Sequence, residues 1–179
     1  ENFMSITFHA DGRVTGSGAD NFGASGQVIQ TVFGTNCEAV GSSSRNISGS
    51  VSSPTFFDSN GKVTITPKRS NSKIMLTWTA QVRLNGGTYG YVGVFYSSSS
   101  NMSSPTPVEK YRGSSFNESY RTVQSDSYDF SVVTNVAWDE TITNTNTRYY
   151  NVGGYASSGN IYYGDHGTAL QLIAQEIAA

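Results

Sequence analysis

The chain predicts an all-β protein, an antiparallel β-sandwich, and two observations carry that expectation. From Ile74 onward the even positions Ile74, Leu76, Trp78, Ala80, Val82 and Leu84 are apolar, while Thr77, Thr79, Gln81 and Arg83 are polar. Successive strand residues face opposite sides of a sheet, so this alternation describes a strand with one dry face and one wet face. The second observation is punctuation. Short apolar runs recur along the chain between clusters of Gly, Asn, Ser and Pro, the spacing of a protein made of many short strands.

In chain order, residues 5–16 alternate weakly around Asp11 and Gly12, as a small hairpin or the end of a fibrous repeat does. Residues 16–26, rich in Gly, Ala and Ser, read as a flexible connector, so 1–25 form a leader and 26–179 the main domain. Strands are expected at 27–33, 46–51, 54–57, 62–66, 73–84, 88–96, 108–112, 127–138, 147–156, 160–163 and 168–177. Asp58, Ser59, Asn60 and Gly61 supply the turn ahead of Val63 and Ile65. The last segment is ambiguous by period: Leu170, Ile173, Ala174 and Ile177 fit one face of a helix, and Ala, Leu, Gln and Glu favour helix.

Two segments depart from the one-face rule. In 89–96, Tyr89, Tyr91 and Phe95 stand on one parity and Val92, Val94 and Tyr96 on the other, and 149–156 does the same with Tyr149, Tyr150, Val152 and Tyr155. Both faces of such strands need cover. Tyr89, Tyr91, Phe95, Tyr149 and Tyr155 are therefore expected to pack against other subunits. The alternative is that these tyrosines stand half-exposed, where strands tolerate them. The wet face of 74–84, by contrast, needs no partner.

Composition bounds the function. The 179 residues suit one domain with a real core. Only 13% are charged, about half the usual share, and the net charge is -2. No basic run exceeds Lys68 and Arg69, so the electrostatic footprint for nucleic acid is missing. No stretch has the length of a membrane span, so membrane insertion is not expected, and the single Cys37 has no intramolecular disulfide partner. A start at Glu1 rather than Met leads us to expect further chain upstream.

Three stretches together resemble a family of bacteriophage virion proteins. They are Gly26, Gln27, Val28, Ile29 and Gln30; then Val63, Thr64, Ile65, Thr66 and Pro67 followed by Asn71, Ser72, Lys73 and Ile74; and the terminal run from Leu170 to Ile177. The domain is similar to the C-terminal head of tail fibres or related appendages, whose jelly roll resembles tumour necrosis factor and complement C1q heads. The leader resembles the Asp-Gly end of a fibre shaft. The resemblance spans 26–177 and its motifs are structural. It implies a jelly roll, a homotrimer, a strand at 168–177, a place in the virion, attachment to other virion proteins through the leader, and contact with a host cell-surface glycan or protein. It carries over no binding residue. Two other readings stay open: a capsid or tail decoration protein with no receptor, and a C1q-like or lectin-like module of a cellular organism.

Catalytic, metal and cofactor chemistry finds little footing, and none is expected. His9 and His166 lie in no metal-ligand spacing with each other or with Cys37. Asp165 and His166 form a nucleophilic site with Cys37 only if folding joins them. Asp126 with Asp129, or Asp139 with Glu140, would need to flank a cleft to hydrolyse a glycoside, and strand neighbours such as the latter pair point apart. Asp58 opens no calcium loop, because Arg69 stands where a bidentate Glu is required. Asn46, Asn101 and Asn117 begin chance glycosylation sequons. The segment 97–126 is a long polar excursion bearing Tyr111, Arg112, Phe116, Tyr120 and Arg121. Aromatic faces stack on sugars and Arg offers forked hydrogen bonds, so these five are the candidate receptor contacts; an ordinary surface loop is the alternative.

Overall fold

A computed structural model describes residues 6–8, 14–16, 25–34, 45–47, 53–57, 61–85, 90–108, 121–123, 131–156, 160–163 and 170–179. Among them every regular element is a strand and every pairing of strands is antiparallel. β1 (Ile6–Phe8) and β2 (Val14–Gly16) pair antiparallel as a separate two-stranded sheet, in keeping with the first of the two readings of 5–16. The others in chain order are β3 (Val28–Phe33), β4 (Arg45–Ile47), β5 (Thr55–Phe56), β6 (Val63–Ile65), β7 (Lys73–Asn85) and β8 (Gly90–Ser97). β9 (Thr106–Pro107), β10 (Arg121–Val123), β11 (Ser131–Asp139), β12 (Arg148–Ala156), β13 (Asn160–Tyr163) and β14 (Gln171–Ile177) complete them.

β7 is the alternating segment, and its inward residues Ile74, Leu76, Trp78, Ala80 and Val82 are wholly buried. β11 runs along one side of it; β14 and then β13 occupy the other, opposite residues 73–79 and 82–85. β3 flanks β14 and β4 flanks β13. The sheet is thus four courses wide: β3 with β4, β14 with β13, β7, and β11. The second sheet has the same plan. β12 pairs with β8; β6 and β5 share the far side of β12, and β9 and β10 share the far side of β8.

The two sheets contribute to one core, an arrangement consistent with a β-sandwich. Val63, Ile65, Val92, Val94, Tyr150 and Val152 of the second sheet cluster with the dry face of β7 and with Val133, Ala137, Leu172 and Ala174 of the first. Each Val, Leu or Ile among them contributes about 1.5–3 kcal/mol by leaving water.

The C-terminal segment is a strand, as the resemblance implied. Its apparent helical stripe divides between faces: Leu170, Leu172, Ala174 and Glu176 are buried, while Ile173 and Ile177 are only half-buried on the other side. β9, Thr106–Pro107, ends just before the strand expected at 108–112; Val108 is not in a strand, and 109–112 lie outside the described residues. Val108 donates its N–H to the Val94 carbonyl, and Arg121 stands opposite Val92. Val108 and Arg121 thus stand along the same side of β8, opposite positions two residues apart.

Candidate functional site

Of the candidate receptor contacts, Tyr111, Arg112, Phe116 and Tyr120 lie outside the described residues, and Arg121 begins β10 at the point of return. Cys37, His9, Asp165, His166, Asp58, Asp126 and Asp129 also lie outside them. Asp139 and Glu140 do point apart: Asp139 is buried and Glu140 exposed.

Among the tyrosine-strand residues assigned to a subunit interface, Tyr89 lies outside the described residues, and Tyr91 and Tyr155 are cross-strand partners in β8 and β12. Phe95 corrects the expectation. It is wholly buried, and its cover comes from its own chain: Met102 packs on it, with Phe56 and the half-buried Tyr149 around them. The Phe56 and Phe95 rings meet edge to face at 5.9 Å. The segment after β8 folds back to do this. Ser97 Oγ–H donates to the Ser103 carbonyl at 2.7 Å, and Asn101 Oδ1 accepts from the Ser103 N–H and the Ser99 hydroxyl. Lys62 donates to the Ser100 carbonyl. Met102 and Ser104 take the left-handed backbone, at φ 57° and 49°, to complete the turn.

Exposed apolar surface sits on the other sheet. Among the described residues the large exposed apolar side chains are Val28, Phe33, Val132, Val136 and Trp138, and all belong to β3 and β11, the two edges of the β7 sheet. Phe33 is 70% exposed and Val132 66%, values that a lone core-facing strand would not show. Register explains the arrangement. Phe33, Ile173, Thr77 and Val136 form one row across β3, β14, β7 and β11; Thr31, Gln175, Met75 and Trp138 form the next. A bulge in the β14 pairing at Glu176 and Ile177 brings Val28 to the outer face beside Ile177. Between the two apolar margins runs a mixed strip that includes Thr79, Gln81, Gln171 and Gln175. Among residues 73–81 of β7, 132–138 of β11, and the outward positions of β3 and β14, the one charge is Lys73, paired with Glu140 at 2.6 Å.

The sequence held a signal for this face. Both parities of 131–139 are apolar in part, Val132, Val136 and Trp138 against Val133 and Ala137, which is the same departure that drew attention to 89–96.

Two buried polar clusters hold the frame. Asp139 Oδ2 accepts from Arg148 Nη1 at 2.8 Å and from the Tyr150 hydroxyl at 2.7 Å, and its Oδ1 accepts from the Thr141 N–H and hydroxyl. The Arg148 guanidinium lies over the Tyr96 ring, 4.6 Å from its centre. Asp139 belongs to one sheet and Arg148, Tyr150 and Tyr96 to the other, so the cluster ties the sheets together. Burial, and then the Asp139 carboxylate, hold the Tyr150 phenol above its ordinary range. On the far side of β7, across Ile74 from Asp139, Glu176, also buried, accepts from the Lys68 and Arg69 amides, the Ser72 hydroxyl and the Gln30 amide. In both clusters the carboxylate's donors come from the chain itself. Among the described residues no three His, Cys, Asp or Glu side chains group to hold a metal, and no helix is long and apolar enough to cross a membrane.

No protein-family model matches the chain, and no curated protein matches it in sequence.

Proposed function

We propose that this chain is the jelly-roll head of a homotrimeric bacteriophage fibre or virion appendage, not an enzyme, that attaches the particle to a host cell-surface glycan or protein. The observation that carries the reading is the pair of exposed apolar margins on the β7 sheet, Val28 and Phe33 on β3 and Val132, Val136 and Trp138 on β11, which suits burial against further copies of the chain. Course order adds support. Counted along the chain, the courses run first, eighth, third, sixth in one sheet and second, seventh, fourth, fifth in the other, an order compatible with the paired Greek keys of a jelly roll. The resemblance of the sequence to virion heads supplies the biological setting, with the leader joining the head to other virion proteins.

Receptor contact is assigned to Tyr111, Arg112, Phe116, Tyr120 and Arg121, because the first four fall in sequence between β9 and β10, two short strands that both pair with β8, and Arg121 begins β10. Weak single sites on three copies act together through avidity. The test is adsorption of the purified chain to host cells. Alanine at Tyr111, Phe116 and Tyr120 lowers adsorption without lowering the melting temperature; unchanged adsorption removes the assignment. Immunolabelling of intact particles separates a fibre tip from a decoration protein.

A further inference from the structure

We infer that the main-chain edge of β11 is a docking site for an extended, uncharged peptide segment of a partner protein, and that Asn135 is the side chain a docked strand displaces. Such docking is independent of the virion reading above. In antiparallel sheets the direction of main-chain hydrogen bonding alternates along each strand. Gly34 donates its N–H to the Leu172 carbonyl, so Leu172 and Ala174 bond toward β3, and Gln171, Ile173 and Gln175 toward β7. Carried across the register, Thr77 and Thr79 bond toward β14, Leu76, Trp78 and Ala80 toward β11, and Val133, Asn135 and Ala137 back toward β7. Val132, Thr134 and Val136 therefore turn their main-chain groups to the far side, where no further strand pairs among the described residues. Such a row is complementary to another extended backbone, which joins it by strand addition. Residues 131–138 carry no charge, and Val132 and Val136 stand exposed beside the row, so the matching segment is neutral and alternately apolar. A free segment adopts the twist of the edge it joins, which a second folded sheet does not.

Two hydrogen-bonding groups mark this edge. The Val136 N–H, which faces it, is held by the neighbouring Asn135 Oδ1 at 2.8 Å. The indole Nε1–H of Trp78, a wholly buried residue, has no hydrogen-bond partner. Trp78 stands directly opposite Asn135 in the register of β7 and β11, and both belong to the inward-facing positions of their strands, Asn135 in step with the buried Val133 and Ala137. A strand docked on β11 supplies a carbonyl to the Val136 N–H. Asn135 Oδ1 is then released to accept from Trp78, so one docking event satisfies the edge donor through the main chain and the buried indole through Asn135.

The test is titration of the full chain with a fluorescently labelled peptide of alternating Thr and Val, ended by Lys at both termini for solubility. Anisotropy reads binding, and the indole N–H signal of Trp78 in heteronuclear NMR reads the core. Trp138→Phe removes the other indole of the chain and so assigns that signal. Saturable binding is expected, with the Trp78 signal moving downfield in step. Methylating the Val nitrogens of the peptide removes donors and keeps the side chains, and is expected to weaken binding at least tenfold. Thr134→Pro is expected to do the same with little change in melting temperature, because it removes an edge N–H that no ladder bond uses. Asn135→Ala, shown to be folded by its melt, is expected to bind the peptide without moving the Trp78 signal. No binding by the parent, or binding indifferent to methylation, overturns the docking site. A Trp78 signal that moves equally in Asn135→Ala overturns the displacement. A signal already downfield in the parent alone that returns on dilution means that a second copy holds the edge, which also overturns the inference.

Discussion

At the residue scale the most informative side chain is Asp139. Its side chain is 3% exposed, its partner Arg148 is 7% exposed, and the guanidinium's Nε has no hydrogen bond among the described residues. Removing the carboxylate leaves a buried cation without its counter-charge, so Asp139→Asn is expected to cost about 3–5 kcal/mol in a denaturant melt. Replacing both partners, as in Asp139→Leu with Arg148→Met, is expected to cost less than that single change. Tyr150 adds a pH signature. The folded state retains the phenol proton that the unfolded chain releases near pH 10, so stability present at neutral pH falls as pH rises past about 10. Melts between about pH 8 and 12 check this: Tyr150→Phe has a shallower alkaline slope than the parent. None of this network was legible in the sequence. Asp139 was visible only as a neighbour of Glu140, and nothing local pairs it with Arg148 and Tyr150 across two sheets.

At the scale of elements, the strands were legible where burial is strictly one-sided. β7 reads cleanly because Ile74 to Val82 alternate without a polar exception on the dry side. β14 does not, because Glu176 occupies an inward position that pattern reserves for an apolar residue. The missing information is the receiving loop: the amides of Lys68 and Arg69 and the hydroxyl of Ser72 turn inward to meet that carboxylate. Glu176→Ala should therefore cost about 2–4 kcal/mol, since it strands several donors, and hydrogen exchange should show the Lys68 and Arg69 amides losing protection first. Gly153 shows a second constraint invisible to pattern. A Cβ there would lie 2.9 Å from the Thr55 carbonyl and 3.0 Å from the Phe56 ring, so β5 can pair this closely with β12 only beside a glycine. Gly153→Ala is expected to destabilise by about 1–3 kcal/mol, read from the shift in melting midpoint. The self-covering of Phe95 by Met102 was hidden for a related reason. It depends on two left-handed residues, Met102 and Ser104, that carry no glycine to announce the turn.

At the scale of the whole molecule, the reading of two-sided strands was sound as physics, but its location changes. The tyrosine strands ask for cover, and where side chains are described that cover is internal. The sheet built on β7, whose wet face appeared to need no partner, bears Phe33, Val132 and Val136 at its edges. The central claim is that this face is buried in an oligomer, and sedimentation equilibrium at micromolar concentration tests it most directly. The account predicts about three times the 19.2 kDa chain mass for the parent, and a folded monomer with an unchanged melting profile below the dissociation range for Val136→Lys. A parent that sediments as a single 19.2 kDa chain contradicts it.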